Sequence, residues 1–247
     1  MGVKVHGVEL SPPTRSVIYT LDLLGVKYDL CKVDVVKGEH KNPDNVKLNP
    51  RQQIPFITDG DFCLGESLAI IIYLVEKYGG KSNFLCPQDR PETYARIIQL
   101  MYFAVSDLWP KFFDVVVSYF KQNVFIRKNV FNFQPGFVFH RVPVDPEREK
   151  LVTEAFQVIE NCLDKSDFVA GTRSPTLADL LIFPMYTQFL TTGLFSAKQL
   201  PNMTKWTQLM MRSVPDSSVE RTGLLQFTEF VDATWKVTGG DKIENAF

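Results

Sequence analysis

The stretch from Asn49 to Gly79 constrains the fold of this chain more than any other part of its sequence. The Ile54-Pro55 step precedes a short apolar run, and Asp59-Gly60 is typical of the tight turn of a β-hairpin. Glu66-Ser67 then opens a segment whose apolar residues recur at helical spacing. The pattern therefore predicts a strand, a hairpin and a helix in direct succession.

This arrangement would place a free strand edge beside a helix N-terminus. The strand edge offers backbone hydrogen bonds, and the helix end offers N–H groups and the positive end of its dipole. A cis bond at Ile54-Pro55 would expose the edge, although only about 5–6% of X-Pro bonds are cis. The sequence thus indicates a site suited to a small anionic peptide.

The remainder of the N-terminal region alternates strand and helix signals. Strands are predicted over 3–8 and 28–33, with a helix over about 12–24 that ends at Gly25. A β-α-β start followed by a ββα finish predicts a mixed four-stranded sheet with helices, a thioredoxin-like layout. We therefore expect a first domain over residues 1–81.

The sequence changes character in the proline-containing stretch 82–91, which is predicted to be a linker. Helical patterns dominate residues 92–247, so this second domain is expected to be all-α. A long helix is predicted over about 92–122, bent at Pro110. Further helices are predicted to start after Asp145, at Thr176 and near Pro201.

Two segments of the second domain are irregular in sequence. Residues 123–144 contain five Phe residues with basic residues between them, and the tail from Glu220 onward has weak periodicity. Either segment could lie over a substrate site. The alternatives are surface packing for the Phe-rich segment and fraying for the tail.

The overall charge and the apolar patterning argue against two classes of partner. The net charge is −1, so nothing favours a nucleic acid or an anionic membrane. No apolar run approaches the ~20 residues that span a bilayer, and the N-terminus is predicted to be a strand and not a signal peptide.

The four cysteines are scattered along the chain and form no Cys-x-x-Cys pair. This distribution favours free thiols in the reducing cytoplasm over a disulfide framework or a zinc site. We therefore expect no metal.

Several motifs together resemble the cytosolic glutathione transferases. Ile54-Pro55, the hairpin and the sequence Glu66-Ser67-Leu68-Ala69-Ile70 match the family's glutathione-binding half. The stretch from Ser11 to Val17, Ser-Pro-Pro-Thr-Arg-Ser-Val, resembles the active-serine turn of the insect delta and epsilon classes. Further matches lie at Phe168-Val169-Ala170-Gly171 and Thr176-Leu177-Ala178-Asp179, so the resemblance covers most of the chain.

The resemblance implies a catalytic role for Ser11, which taken alone would simply be a helix N-cap. Its hydroxyl would donate a hydrogen bond to the glutathione sulfur and favour the thiolate, the nucleophilic form. The backbone of Ile54 would pair with the cysteinyl part of glutathione. Ser67 would hold the γ-glutamyl carboxylate and Glu66 the γ-glutamyl amine, although both residues also suit a helix start.

The glutathione-binding set implied by the resemblance comprises His40, Gln52, Gln53, Ile54, Pro55, Glu66 and Ser67. Two positions depart from the family pattern. Gln52 stands where the family usually has His, and Leu68 stands where it usually has Arg or His. Gln can still donate a hydrogen bond but carries no charge, so Arg51 or Gln53 would have to compensate.

The second substrate of such an enzyme is hydrophobic, so its site is expected to be apolar. The candidates lie along the first helix of the second domain: Tyr102, Phe103, Ser106, Trp109 and Phe113. Taken singly, each of the aromatic residues is better explained as core. Together they exceed what one face of a helix needs, so some are expected to line the cleft between the domains. The Thr176–Asp179 motif is a variant of the capping box and is assigned to folding.

Three classes of function follow from these patterns. The first is an enzyme, a glutathione S-transferase that directs the thiolate at hydrophobic electrophiles, acting as a cytoplasmic homodimer. The second is a non-catalytic carrier of hydrophobic ligands on the same fold. The third, a thioredoxin-like redox protein, is disfavoured because no Cys stands at position 11 and no Cys-x-x-Cys pair occurs.

Overall fold

The computed structural model describes residues 2–35, 37–115, 124–126, 137–139, 146–191 and 199–238 of the 247-residue chain. For 124–126, 137–139 and 231–238 the description is limited to the backbone. A region that contains a four-stranded sheet comes first in the chain, and a largely helical region follows it.

Four strands form the sheet: β1 (Val3–Gly7), β2 (Tyr28–Lys32), β3 (Phe56–Asp59) and β4 (Phe62–Gly65). Their order across the sheet is β2-β1-β3-β4. β1 runs parallel to β2, whereas β3 is antiparallel to both β1 and β4. The mixed thioredoxin-like sheet predicted from the sequence is confirmed.

Helices α1 (Pro12–Leu24) and α3 (Ser67–Leu74) pack against each other and against the sheet. Alternate residues of β1, including Val3 and Val5, are buried, and Lys4 between them is exposed. This period-2 burial shows which face the helices cover. Helix α1 ends at Gly25, whose φ of 67° suits glycine at a helix C-terminus.

A short 3₁₀ helix (Glu39–Lys41) and α2 (Pro43–Leu48) lie between β2 and β3. Helix α3 continues into a wider π-type turn over Val75–Gly79. The helical segment therefore ends at Gly79, as the sequence predicts.

Six further helices follow within the described residues: α4 (Pro91–Phe103), α5 (109–115), α6 (Pro146–Cys162), α7 (Leu177–Thr191), α8 (Pro201–Ser213) and α9 (Ser218–Thr238). Helix α7 is buried over most of its length and packs against α1, α3, α4, α8 and α9. A helix that is apolar on all sides belongs in the centre of a bundle, and α7 has that place here.

The structure has a widened helical turn just before Pro110, where the sequence predicts a bend. Proline has no N–H, so the carbonyl four residues earlier loses its helical partner. The chain forms a π-type turn over Ala104–Leu108, just before the proline, in which the N–H of Trp109 reaches back to the carbonyl of Ala104. Residues 116–122 of the predicted helix lie outside the described residues.

The fraying considered for the C-terminal tail does not occur over residues 218–238, and 239–247 lie outside the described residues. The alternative, that the tail lies over a substrate site, stays a prediction. Residues from Ser218 form the long helix α9, and the side chain of Glu220 is completely buried. The weak periodicity arose because a charged residue occupies a buried position and because Gly223 interrupts the apolar pattern.

Most of the Phe-rich segment 123–144 lies outside the described residues, so its predicted packing is not addressed. Two short strands within it are described, β5 (Val124–Ile126) and β6 (Phe137–Phe139). They pair antiparallel, with Ile126 opposite Phe137. These strands are the part of the second region's described secondary structure that is not helical.

Candidate active site

The strand register brings the predicted site residues to one end of the sheet. His6 of β1 lies opposite Phe56, the first residue of β3, and Phe56 lies opposite Gly65, the last residue of β4. Ser11 follows β1 in the chain, Ile54–Pro55 precedes β3, and Glu66 follows β4. The topology thus gathers three segments that are far apart in sequence around the same sheet end.

Ser11 forms the N-cap of α1. Its φ and ψ are −83° and 116°, and its Oγ accepts a hydrogen bond from the backbone N–H of Thr14 at 3.4 Å. The side chain is half-buried. Because a hydroxyl is both donor and acceptor, the capping bond uses only the oxygen and leaves the O–H able to donate.

The loop before β3 is organised by the buried side chain of Asn49. Its Nδ2 donates to the carbonyl of Gln53 at 2.8 Å, and its Oδ1 accepts from the N–H of Arg51 at 3.3 Å. The N–H of Gln52 donates to the carbonyl of Asn49 at 2.9 Å. These bonds hold Gln52 in a left-handed conformation with φ of 57°.

The Ile54–Pro55 peptide bond is cis, as the sequence pattern predicts. Pro55 is buried and Ile54 is half-buried. In the described part of the chain, neither the N–H nor the C=O of Ile54 bonds to another backbone group outside the regular elements. Ile54 therefore offers an open backbone edge at the start of β3.

Glu66 lies at the start of α3 in an unusual backbone conformation, with φ of 65° and ψ of 107°. Such a conformation in a residue other than glycine costs about 1–3 kcal/mol and is commonest at functional sites. The first helical bond runs from the N–H of Ile70 to the carbonyl of Glu66 at 2.9 Å. The N–H groups of the first turn, beginning with Ser67, have no intrahelical acceptor and no side-chain cap.

The Glu66 carboxylate pairs with the guanidinium of Arg51. The two side chains are 54% and 62% exposed, so the pair contributes no more than about 1 kcal/mol. A ligand ammonium group could replace Arg51 at little cost. Arg51 would then be free to contact a ligand carboxylate. It would supply there the positive charge that Leu68 lacks.

His40 lies in the 3₁₀ helix after β2, near the same end of the sheet. Burial, with a smaller contribution from Lys41, lowers the pKa of its imidazole. Its Nδ1 is buried and has no hydrogen-bond partner among the described residues. No hydrogen bond of the described residues joins His40 to Ser11 or to Glu66.

The residues predicted to line the apolar site differ in exposure: two are exposed and three are half-buried. Tyr102 is 60% exposed, and Ser106, which donates to the carbonyl of Tyr102 at 2.8 Å, is also exposed. Trp109 and Phe113 are half-buried with ring centroids 5.9 Å apart. Phe103 is half-buried against the core.

Sequence reasoning assigned no role to three residues that shape this end of the molecule: Asn49, Arg15 and Glu220. Asn49 and Arg15 are parts of sequence motifs, and Glu220 begins the weakly periodic tail. A buried position for Arg15 could have been inferred from the sequence, because a run of uncharged residues follows it on α1. Its partner Glu220 could not be identified, because nothing local links two residues so distant in the chain.

Two further observations apply to the described residues alone. No group of three or more His, Cys, Asp or Glu side chains there is arranged to hold a metal ion. No helix in the described ranges combines the length and apolarity needed to cross a membrane.

Two family models match this chain. The model of the glutathione S-transferase N-terminal domain matches residues 5–82, and that of the glutathione S-transferase C-terminal domain matches residues 112–213. The chain therefore belongs to the glutathione S-transferase family, a family of enzymes.

Solved structures of insect glutathione transferases share the whole architecture. A delta-class glutathione transferase of Nilaparvata lugens is 27% identical, with 94% of this chain and 99% of that chain covered and a TM-score of 0.80. A glutathione transferase homologue from Drosophila mojavensis, determined with bound glutathione, is 27% identical over 94% and 97% of the two chains, with a TM-score of 0.78.

An epsilon-class glutathione S-transferase of the housefly Musca domestica matches with a TM-score of 0.78 over 94% and 98% of the two chains. At 22% identity it shows the shared fold alone.

Proposed function

We propose that this protein conjugates glutathione to hydrophobic electrophiles, with Ser11 stabilising the glutathione thiolate. The observation that carries the proposal is the convergence of a serine hydroxyl, an open backbone edge and an uncapped helix N-terminus at one end of the sheet. Glutathione has one group for each: a thiol, a cysteinyl backbone and a γ-glutamyl carboxylate. The relative from Drosophila mojavensis was determined with glutathione bound.

The proposed reaction requires the thiol to lose its proton before attack. A free thiol with a pKa of about 8.5 is mostly protonated at neutral pH, so stabilising the thiolate raises the population of the nucleophile. The Ser11 O–H would donate to the sulfur while Thr14 N–H holds its oxygen. The positive end of α1 would favour the negative charge further.

The thiol proton passes to solvent, and the thiolate sulfur forms a bond to an electrophilic carbon. In a substitution the leaving group departs with its electron pair, and in an addition the substrate takes up a proton. Tyr102, Phe103, Ser106, Trp109 and Phe113 are proposed to contact the electrophile. The set is consistent with an apolar substrate because four of the five side chains are aromatic.

The remaining glutathione contacts are assigned by position. Ile54 would pair with the cysteinyl backbone, beside Pro55, and Ser67 would hold the γ-glutamyl carboxylate at the N-terminus of α3. Glu66 would exchange Arg51 for the γ-glutamyl amine. His40, Gln52 and Gln53 would surround the glycyl end.

We also propose that the chain forms a cytoplasmic homodimer of two-domain subunits, with domains at 1–81 and 92–247. The four cysteines, none of them in a disulfide, suit a reducing compartment. Pairing the first domain of one subunit with the second domain of its partner is the family's arrangement. Light scattering at micromolar concentration tests the dimer, and a monomer would contradict it.

The decisive experiment combines calorimetry with a spectroscopic titration of the bound thiol. Glutathione is expected to bind saturably in the presence of a chelator, and its thiol is expected to ionise at lower pH than in solution. S-Methylglutathione is the matched control, because it keeps the peptide groups but cannot ionise. An activated aryl halide then measures turnover.

A specific outcome would favour the second candidate, a carrier of hydrophobic ligands. Leu68, which stands where the family usually has Arg or His, removes one polar partner and weakens the case for tight glutathione binding. If calorimetry shows no heat and a glutathione resin retains nothing, the conjugating function is wrong. Binding of apolar dyes by the same sample would then establish the carrier.

A further inference from the structure

The side chain of Arg15 is completely buried, and its guanidinium contacts two segments at once. Nη1 donates to the carbonyls of Glu9 at 2.7 Å and Leu10 at 3.3 Å, the two residues that precede Ser11. Nη2 donates to the carbonyl of Pro184 at 2.9 Å and to Oε1 of Gln188 at 3.2 Å, both on α7. Arg15 thus links the turn that carries Ser11 to the central helix.

The charge of Arg15 is balanced by Glu220 of α9. Nε lies 3.0 Å from Oε2 of Glu220, an ion-pair contact without good hydrogen-bond alignment, and both side chains are fully buried. The carboxylate also accepts hydrogen bonds from the hydroxyls of Tyr19 on α1 and Thr187 on α7. Burial, followed by the negative charge of Glu220, raises the pKa of Tyr19, so its hydroxyl remains a donor.

One turn beyond Glu220, the backbone of α9 approaches the same turn directly. A Cβ added to Gly223 would lie 2.3 Å from the carbonyl oxygen of Glu9 and 2.4 Å from Nη1 of Arg15. No side chain fits in that space, because real Cβ atoms do not come within 3.0 Å of such neighbours. Glycine here permits helix α9 to touch the turn itself.

The backbone of Ser11 is itself held by two hydrogen bonds. The N–H of Arg15 donates to the carbonyl of Ser11 at 3.1 Å, and the N–H of Ser11 donates to the carbonyl of Val8 at 3.0 Å. The carbonyls of Glu9 and Leu10 are held by the Arg15 side chain, so the backbone is fixed on both sides of the serine.

We propose that the buried pair Arg15–Glu220, seated on Gly223 of α9, positions Ser11 for its role toward the glutathione sulfur. Arg15 and Glu220 act through the turn and contact no substrate, so they are positioning residues. The inference rests on the proposed function of Ser11. It assigns a role to α9, which begins beyond residue 213, where the match to the C-terminal family model ends.

The position of Ser11 matters because a hydrogen bond weakens steeply when its distance or angle departs from the optimum. A displacement of the turn would therefore raise the pKa of the bound thiol without removing the groups that grip the glutathione peptide. Loss of a purely structural contact would lower stability and leave the thiol unaffected. The two roles are separable by experiment.

The test uses Gly223→Ala, which pushes α9 away from the turn and leaves every charge in place. Replacing Glu220 itself would be less informative, because it removes a buried charge and leaves Arg15 without its ionic partner as well as disturbing the turn. Tyr19→Phe is a second charge-neutral variant, which removes one donor to Glu220 and adds no bulk. It decides the question if Gly223→Ala does not fold.

The matched control is Glu160→Gln. The Glu160 carboxylate is buried, and it accepts from the N–H groups of Asn202 and Met203 at 2.9 Å and 2.8 Å. Its replacement destabilises the helical region, and its hydrogen bonds do not involve the turn of Ser11. Thermal unfolding identifies a temperature at which all variants remain folded.

The expected result for Gly223→Ala is a rise of about one unit in the apparent pKa of the bound glutathione thiol. At a pH below the wild-type pKa this rise is a tenfold loss of thiolate, so turnover is compared at such a pH. We expect kcat to fall about tenfold and the Kd of glutathione to change by less than about threefold, with a smaller shift in the same direction for Tyr19→Phe. Glu160→Gln should leave the thiol pKa at its wild-type value.

An unchanged thiol pKa in folded Gly223→Ala and Tyr19→Phe would overturn this inference and leave the proposed function standing. A wild-type protein that binds no glutathione, or binds it without ionising the thiol, would overturn the proposed function and this inference with it.

Discussion

Two helix N-termini, that of α3 in the sheet region and that of α7 in the helical region, differ in how their backbone N–H groups are satisfied. In the helical region, Asp179 at the start of α7 is fully buried and accepts from the N–H and hydroxyl of Thr176 at 2.8 Å and 2.7 Å. It also accepts from the N–H of Val169 and from Nε1 of Trp206, both at 2.9 Å. At the start of α3, Glu66 is exposed and caps nothing.

The comparison distinguishes a helix start that stabilises the fold from one that can bind a ligand. Backbone N–H groups at a helix N-terminus need an acceptor. Buried carboxylates provide this acceptor in the helical region: Asp179 for α7 and Glu160 for α8. The first turn of α3 has no such acceptor, so an anionic ligand can provide it.

The largest effect is expected from Asp179→Ala. The substitution leaves two backbone N–H groups, the Thr176 hydroxyl and the Trp206 indole without their acceptor in the core. Since hydrogen bonds to charged groups contribute about 1.5–3 kcal/mol each, the loss should be about 3 kcal/mol or more. Urea denaturation at pH 7 measures it.

Glu66→Ala is the control for that prediction. The side chain is exposed, so the free energy of unfolding should change by no more than about 0.5 kcal/mol, while glutathione binding weakens. If Glu66→Ala destabilises the protein as much as Asp179→Ala does, the two helix starts do not differ in the way described.

Ser11→Ala is expected to affect catalysis by a comparable free energy. Removing one preorganised donor at a site of developing charge typically lowers kcat by 10²–10³-fold, and we expect about a hundredfold. The Kd of glutathione should change by less than about threefold, because the hydroxyl acts on the sulfur's charge and not on the peptide. The apparent pKa of the bound thiol, followed by its ultraviolet absorbance, should rise toward about 8.5.

Ser82→Ala provides the matched control, since the exposed Ser82 hydroxyl donates to Asp89 at 2.7 Å, away from the turn of Ser11. A normal thiol pKa in Ser11→Ala would show that another group activates the sulfur.

The sequence predicted the sheet region well because its signals are local. The turn at Gly60, the stop at Gly25 and the apolar period of α3 each depend on residues within one or two turns. The helix starts at Pro146, Thr176 and Pro201 were predicted on the same basis. Local rules fix where elements begin and end.

Local rules could not predict contacts between distant segments. Tyr19 and Glu220 are 201 residues apart, and the burial of Glu220 depends on Arg15. From composition alone Glu220 is a solvated charge in a weakly periodic tail. The prediction failed because tertiary pairing decided the burial of a charged residue.

The candidate site was predictable only as a set of segments. Ser11, Ile54–Pro55 and Glu66 were named from motifs, but the pairing of Glu66 with Arg51 and the left-handed backbone of Gln52 were not foreseen. The sequences around Glu66 and Asp179 are alike, because each combines an acidic residue with a hydroxyl residue near a helix start. The two sites differ in whether the carboxylate is buried, and the local sequence does not reveal that.

Gln52→His is expected to have a smaller effect. It should strengthen glutathione binding, whereas the substitutions above lower stability or activity. Gln52 has φ of 57°, and His is among the residues that tolerate this conformation better than most. A donor better placed for the glycyl carboxylate should tighten glutathione binding by up to about 1 kcal/mol, or fivefold in Kd. Calorimetry measures the change, and Gln53→His is the neighbouring control. Weaker binding would mean that the loop is already adapted to Gln52.

An effect of about the same size concerns the opposite end of a helix, since Asp22 lies in the last turn of α1. Burial is the main cause that raises the pKa of its carboxyl to about 6, and the nearby charge of Asp216 adds to it, although a hydrogen bond with Tyr28 opposes the shift. Its Oδ2 is buried without a hydrogen-bond partner among the described residues. A negative charge at a helix C-terminus is also unfavourable.

Because the pKa of Asp22 is higher in the folded state than the ~3.9 of the unfolded chain, folding favours its protonated form. Its contribution to stability is therefore present below about pH 4 and is lost as the pH rises through about 6. Asp22→Asn, a neutral mimic, should match the wild type near pH 4 and exceed it by about 1 kcal/mol at pH 7, after allowance for partial exposure. Urea denaturation across this range checks the prediction, with Asp29→Asn at an exposed position of β2 as the control. A variant that is less stable than the wild type at pH 7 would mean that the ionised carboxylate is stabilised by the hydrogen bond with Tyr28 more than it is penalised by burial.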